Sequence, residues 1–442
     1  MMKRLISAVT VAAACLWVFG PVPGAAQAPS LFWVTQGISA AGEPPVRSVI
    51  SATRPASAQA DMTNAKTVVI GNVGGGLTVV ATFDSSITSD PNAAAIENAI
   101  NTAIADYASN FSNALSIPIT FKEMASGLGQ SVSLVGTYAY SSFLPALKGT
   151  ATTADDATAY ALLPNSSTNP VDGGSDMTLT AANFNAIGVT VGTNGQPYGT
   201  ISVNTSQTSP GSAGTTGSYD IISVVQHEID EVLGMGSLLP NSGSPFPTDL
   251  FRYNGSGARS FALSPSALAY LSIDGTTRIV QFNNVNNLAD AGDWATNSPA
   301  QVQDAFGTPG SHPRVANSEL TNLDVIGWRR VPQNTFTDNT LTAGVTTIKA
   351  VHITELRTRI QAQRNRFGLG VFSYSTPTIT ASTTTIKASV IAELRQALAE
   401  AYVAGGFAVP SYTDPALTVG TTTIKAVHIT ELRAAVVSLE AR

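Results

Sequence analysis

Ser223-Val224-Val225-Gln226-His227-Glu228-Ile229-Asp230-Glu231-Val232-Leu233-Gly234 is the stretch whose reading decides the fold. Apolar residues at Ile221, Val224, Val225, Ile229, Val232 and Leu233 recur at helical spacing. Asp220 supplies an N-cap and Gly234 a C′ stop, so the pattern predicts one helix between them. On that helix His227 and Glu231 are four residues apart and share a face, with Glu228 beside them. A neutral imidazole and a carboxylate on one face can hold a metal, and a second carboxylate can act as a base toward water. Charges inside an apolar helix are costly unless paired or liganded. The bland alternative is a buried His–carboxylate hydrogen-bond cluster.

The stretch resembles the zinc-binding helix of the zincin metallopeptidases, whose pattern is H-E-x-x-H. It departs from it at Glu231, which stands where the second His would be. Gly234 matches the glycine of the longer metzincin pattern, but Ser237 replaces its third His. A carboxylate in place of an imidazole lowers the positive charge a metal presents to water. The water's pKa then lies above the ~7 of a three-His zinc site. Oxygen ligands also admit Mn²⁺ or Ca²⁺ beside Zn²⁺.

Further phrases follow in order. They are Thr248-Asp249-Leu250-Phe251-Arg252-Tyr253, Leu271-Ser272-Ile273-Asp274-Gly275, Gly292-Asp293-Trp294, Gln303-Asp304-Ala305-Phe306-Gly307-Thr308 and Leu323-Asp324-Val325-Ile326-Gly327-Trp328. With the HEIDEVLG helix, this series is similar to a family of secreted bacterial zincin-like metalloproteases, from about Val79 to Trp328. The resemblance implies an α+β fold, a twisted mixed sheet plus an active-site helix. It implies a Zn²⁺-dependent peptidase acting on a protein or peptide substrate, with Glu228 as catalytic base and His227 and Glu231 as metal ligands. Asp249 is the third ligand it favours, with His312 and Asp230 as rivals. Leu323 would fill the floor where metzincins carry a methionine. An edge strand before the helix, read at Tyr198–Thr205, would pair with substrate by main-chain hydrogen bonds.

The N-terminus predicts export. Lys3 and Arg4 precede an apolar run from Leu5 to Phe19, and Ala26-Gln27-Ala28 is a cleavage signal, so residues 1–28 read as a secretory signal peptide. The single cysteine, Cys15, lies inside that run, so the exported chain has no disulfide to lean on. Later residues contain no stretch apolar enough to span a membrane. The formal net charge of −6 and the absence of a basic patch argue against nucleic acid. No G-x-S-x-G elbow occurs.

Residues 29–66 are rich in Ser, Ala and Pro and read as a linker or a propeptide. Order begins near Thr67. Strands are predicted at Leu77–Phe83, Ile117–Met124 and Thr137–Tyr140. A helix opens at Asp90-Pro91 with Ile96, Ile100, Ile104 and Tyr107 on its apolar face. Short helices follow around 143–147 and 155–163. Residues 67–330 thus form the main domain. Asp290 and Asp293 read as a solvated turn, with Ca²⁺ binding as the alternative.

Residues 331–442 are a repeat array. Ile348-Lys349-Ala350 recurs at Ile386-Lys387-Ala388 and Ile424-Lys425-Ala426, a step of 38 both times. Phe336, Tyr374 and Tyr412 keep the step, as do Glu355-Leu356-Arg357, Glu393-Leu394-Arg395 and Glu431-Leu432-Arg433. Each unit predicts a Thr-rich loop and an amphipathic helix that buries its apolar face on its neighbours. His352 and His428 share a phase that Val390 holds in the middle unit, which points to packing. The tail is similar to C-terminal repeats of secreted bacterial proteins, which implies attachment to a surface or partner. The expectation is therefore an exported peptidase. Its alternatives are a catalytically degenerate zincin-like binding protein and a structural surface protein.

Overall fold

The computed structural model describes residues 31–440, apart from 42, 45–47, 72–75, 210–217, 241–243, 265, 285–288, 332–335, 368, 382 and 419–421. The predicted signal peptide at 1–28 lies outside the described residues. No helix among the described residues is long and apolar enough to cross a membrane.

The chain is α+β, as its patterning predicts. The main sheet comprises β1 (Leu31–Gln36), β2 (Val49–Ser51), β3 (Lys66–Gly71), β4 (Thr78–Phe83), β5 (Ser116–Glu123), β6 (Gly129–Ala139), β7 (Asp176–Thr180) and β8 (Gly199–Val203). Their order is β2-β1-β6-β8-β5-β4-β3, with β7 also on β6. β4, β5 and β8 run parallel, and β6 runs antiparallel to β8. The sheet is mixed: the parallel pair β4–β5 is joined through helices, while β3 and β4 are joined by a short antiparallel return.

Two placements differ from the sequence reading. β8 is interior, between β5 and β6, and is not an edge strand. The antiparallel strand beside it is β6, and β1 takes the outer side of β6 along Ser131–Gly136. Leu31–Gln36, inside the stretch read as a linker or propeptide, is therefore a strand of the main sheet. Trp33, Val34 and Ile38 are buried, and Arg54 sits over the Trp33 ring at 5.6 Å. β6 is also far longer than the Thr137–Tyr140 strand the sequence predicts. Ser131 and Ser133 are fully buried although polar, so β6 shows no wet face for a period-two pattern to mark.

The helices of the main domain are α1 (Ser85–Thr88), α2 (Ala93–Asn110), α3 (Tyr140–Lys148), α4 (Ala154–Ala161), α5 (Ala181–Ala186), α6 (Ile221–Leu233) and α7 (Asn317–Val325). α6 is the helix of the opening stretch. Asp220 caps it by accepting from the Ile222 N–H at 2.9 Å, and Gly234 closes it at φ 119°. It lies tightly on the sheet where two strands carry glycine. A Cβ at Gly199 would stand 2.4 Å from Val232 Cγ2, and one at Gly129 would stand 2.5 Å from Glu228 Oε1. α2 packs along its other side. The Tyr107 hydroxyl donates to the Gln226 carbonyl at 2.7 Å, and Gln226 Nε2 donates to Asp106 at 2.6 Å. Trp328 Nε1 donates to the Leu233 carbonyl at 2.9 Å, which seats the closing Ile326-Gly327-Trp328 phrase under the end of α6.

The tail holds α8 (Ala350–Arg366), α9 (Ala388–Ala404) and α10 (Ala426–Glu440) around their own core of Ile353, Leu356, Ile391, Leu394, Ile429 and Leu432. Within each unit the conserved-phase glutamate accepts from the opening loop: Glu355 from Thr337 N, Glu393 from Ser375 N and Glu431 from Thr413 N. The arginine two residues on caps the next unit's loop. Arg357 donates to the Pro377 carbonyl and Arg395 to the Asp414 carbonyl. Arg433 of the third unit returns to the first, donating to the Asp338 carbonyl at 2.9 Å and lying over Phe336. The array therefore closes on itself, where the sequence suggested a stack ended by a cap. His352 and His428 are buried and bond Asp338 and Asp414. The middle unit has Val390 and, at the aspartate's phase, Thr376, so both partners are exchanged together.

Candidate metal centre

α6 presents His227, Glu228 and Glu231 in one group whose potential ligand atoms lie within 4.8 Å of one another. All three side chains are fully buried. His227 Nε2 stands 3.5 Å from Glu231 Oε1. Its other nitrogen, Nδ1, is 3.0 Å from the Val302 carbonyl. A carbonyl only accepts, so Nδ1 carries a proton, and Nε2 faces Glu231 with Gln303 Nε2 3.4 Å away. Glu231 Oε2 accepts from Ser131 Oγ of β6 at 2.7 Å, which leaves Oε1 turned to the histidine without a hydrogen-bond partner. Glu228 Oε1 accepts from the Ile38 N–H at 3.2 Å, and its Oε2 has none.

A loop after the helix adds two acids that the sequence places in a solvated turn. Asp290 and Asp293 are instead buried. Asp290 accepts from Gln36 Nε2, Ser48 Oγ and Gly292 N, and so ties the N-terminal segment to the site. Asp293 Oδ1 lies 3.7 Å from His227 Nε2 and accepts from Gln303 Nε2 at 2.9 Å. The loop is held from α7: Glu319 accepts from Trp294 Nε1 at 3.0 Å and from the Gln303 N–H at 3.4 Å.

Three buried acids, Glu228, Glu231 and Asp293, thus lie about one imidazole, and a fourth, Asp290, is buried in the same loop as Asp293. Burial pushes the carboxyls of Glu228 and Asp293 well above the usual range, and the charge of Glu231 adds to it. Burial pushes Asp290 up to about 6. Burial works against a charged His227, yet Asp293 and Glu231 outweigh it and push its pKa up to about 10. Such a set is under-neutralised by its protein neighbours alone, which is the state a divalent cation relieves. The unpartnered Glu231 Oε1, Glu228 Oε2 and Asp293 Oδ2, beside a His227 Nε2 on which a cation would replace the proton, fit a metal.

No protein-family model, curated protein or solved structure matched the chain. The reading therefore rests on the geometry.

The other predicted ligands lie elsewhere. Asp249 accepts from Ser237 Oγ at 2.8 Å and from the Phe246 N–H at 3.1 Å, capping the short turn Pro247–Phe251. Both oxygens are used in that cap, so the preference for Asp249 as third ligand is corrected. Burial raises its pKa to about 6. His312 Nδ1 pairs with Asp220 at the start of α6, 3.1 Å away. Asp230 sits on the flank of α6 toward Tyr107 and Glu319, away from Glu231's partner on β6. The sequence reading offered Asp293 only as a possible Ca²⁺ ligand in a turn, and it missed Gln303, Ser131 and Ile38 as site residues. Only the acidic pair at 290 and 293 gave a signal, and it lay in a loop whose burial no local pattern announces.

Proposed function

We propose that the chain is a metal-dependent peptidase whose centre is built on α6. The observation that carries the reading is the pairing of His227 Nε2 with Glu231 Oε1 on one buried helix face, with Glu228 directly beside them. His227 and Glu231 would hold the ion, Zn²⁺ being the first choice for a nitrogen-plus-carboxylate set. When bound, such an ion supplies Lewis acidity toward water and a peptide carbonyl. Glu228 would supply proton transfer, since its Oε2 has no hydrogen-bond partner and stands beside the ligand pair. Ser131 and Val302 fix the ligand orientations, the part that outer-shell partners play in metal sites. The described conformation is closed. Ile38 covers Glu228, and the neighbouring cavity lined by Ile38, Val224 and Val302 holds about 20 Å³, room for roughly one water. Cleavage therefore requires the segment around Gly37 to move.

That closure favours a second reading, a zincin-like chain that keeps an ion for stability and binds without cutting. Purified wild type with added Zn²⁺, assayed on casein or a peptide library with chelator as control, separates the two. Chelator-sensitive cleavage lost in His227→Ala supports the peptidase. Bound metal with no cleavage supports the second reading, and no metal uptake refutes both. Export through residues 1–28 and attachment through the closed tail complete the proposal. N-terminal sequencing that starts near Pro29 would support the first.

A further inference from the structure

We infer that Asp293 completes the metal set with His227 and Glu231, and that Gln303 is the residue that positions it. The inference rests on the metal-site reading above and names the ligand that α6 cannot itself supply.

Three separate observations converge. The first is distance. A tetrahedral ion with ligand bonds of ~2.0–2.1 Å keeps its ligand atoms about 3.3 Å apart. Glu231 Oε1 and Asp293 Oδ1 stand 3.5 and 3.7 Å from His227 Nε2, and Gln303 Nε2 stands 3.4 Å from the same nitrogen, where an ion would take its place. The second is satisfaction. Asp293 is 1% exposed, and its Oδ2 has no hydrogen-bond partner, as Glu231 Oε1 has none. Buried carboxylate oxygens are rarely left so in a folded chain without an ion to take them. The third is support. Gln303 Nε2 donates to Asp293 Oδ1, while the Gln303 and Trp294 N–H groups are gripped by Glu319 at the start of α7. The loop thus carries an outer shell of the kind that holds metal ligands in place. Glu228 is a poorer third ligand. One oxygen is lodged against Gly129 and bonded to the Ile38 N–H.

One imidazole and two carboxylates balance a divalent charge, so Zn²⁺ and Mn²⁺ both suit the set better than a monovalent ion. The test is metal binding by the full exported chain, read by Zn²⁺ competition against a chromophoric chelator and by the visible spectrum of the Co²⁺ form. Asp293→Asn should weaken Zn²⁺ binding by more than the ~10–100-fold expected for loss of an outer-shell partner, and Gln303→Ala should fall within that range. Asp249→Asn should bind as wild type does. If Asp293→Asn does not fold, as judged by near-ultraviolet circular dichroism, Asp293→Glu keeps the charge and should shift the Co²⁺ spectrum. Wild-type affinity in Asp293→Asn, an unmoved Co²⁺ spectrum in Asp293→Glu, or loss of metal in Glu228→Gln with retention in Asp293→Asn would each overturn the assignment. Those results leave the metal centre standing as long as His227→Ala loses the ion. A wild type that takes up no metal removes the centre and this inference with it.

Discussion

Replacing Glu228 by glutamine should stabilise the metal-free chain while removing most cleavage. The amide keeps an oxygen for the Ile38 N–H, so the one hydrogen bond of Oε1 survives. Its NH₂ faces the Glu231 side, where a carboxylate can accept. What is lost is a titrating charge inside a fully buried acidic group. Burial and Glu231 raise the Glu228 pKa in the fold. A raised acid favours the fold fully below its unfolded pKa, and that contribution is lost as pH rises toward the folded one. Glutamine does not titrate, so its advantage over glutamate grows with pH. Each pH unit in that interval is worth at most ~1.4 kcal/mol. Sharing of protons with Glu231 and Asp293 keeps the gain below that ceiling. Urea denaturation of both proteins in chelator, at about pH 4.5 and about pH 7, measures it. Near-equal midpoints at the lower pH and a more stable variant at the higher are expected. Cleavage by the metal-loaded variant should fall ~10²–10⁴-fold. A variant that is less stable than wild type by more than ~1 kcal/mol at about pH 7, and equally active, would refute the reasoning and leave Glu228 as a packing residue.

Three further outcomes follow from the fold. Trp33→Ala should cost ~3–5 kcal/mol, because Trp33 is buried in the main core beneath Arg54; a change under ~0.5 kcal/mol in urea denaturation would show that β1 is dispensable. Asp249→Asn should cost about 1–2 kcal/mol near pH 4 through its weakened turn cap, and the cost should shrink toward neutral pH, because the variant lacks the decline in stability that the wild type shows up to the Asp249 value of about 6; an unchanged thermal-melt pH profile would count against it. Arg433→Ala should lower the tail's stability more than a typical exposed substitution, since it opens the closed three-unit ring at Thr337 and Asp338; hydrogen exchange of α8 amides unaffected by the change would argue for an open stack.

The α6 helix was legible in full, cap to cap, because an apolar 3.6-residue period, Asp220 and Gly234 are local features that the backbone obeys. The tail's three helices were equally plain, since a 38-residue step repeats its own chemistry. Partial legibility began with strands that lack a wet face. β6 hid behind buried serines, and β1 hid in a Ser- and Pro-rich stretch, because pairing with a strand about a hundred residues away leaves no periodic trace. The sequence alone thus determined which helix could hold an ion and which two of its residues face the same way. It could not choose the third oxygen. Asp249, Asp230 and Asp293 are chemically alike, and spacing favoured the nearer ones. Only the tertiary structure turned Asp249 into a turn cap, sent Asp230 toward Tyr107 and carried Asp293 to 3.7 Å from His227. The physical reason is that a ligand set is defined by a few ångströms of separation, and a loop's path over the core, fixed here by Glu319 and Trp294, is set by packing rather than by local propensity.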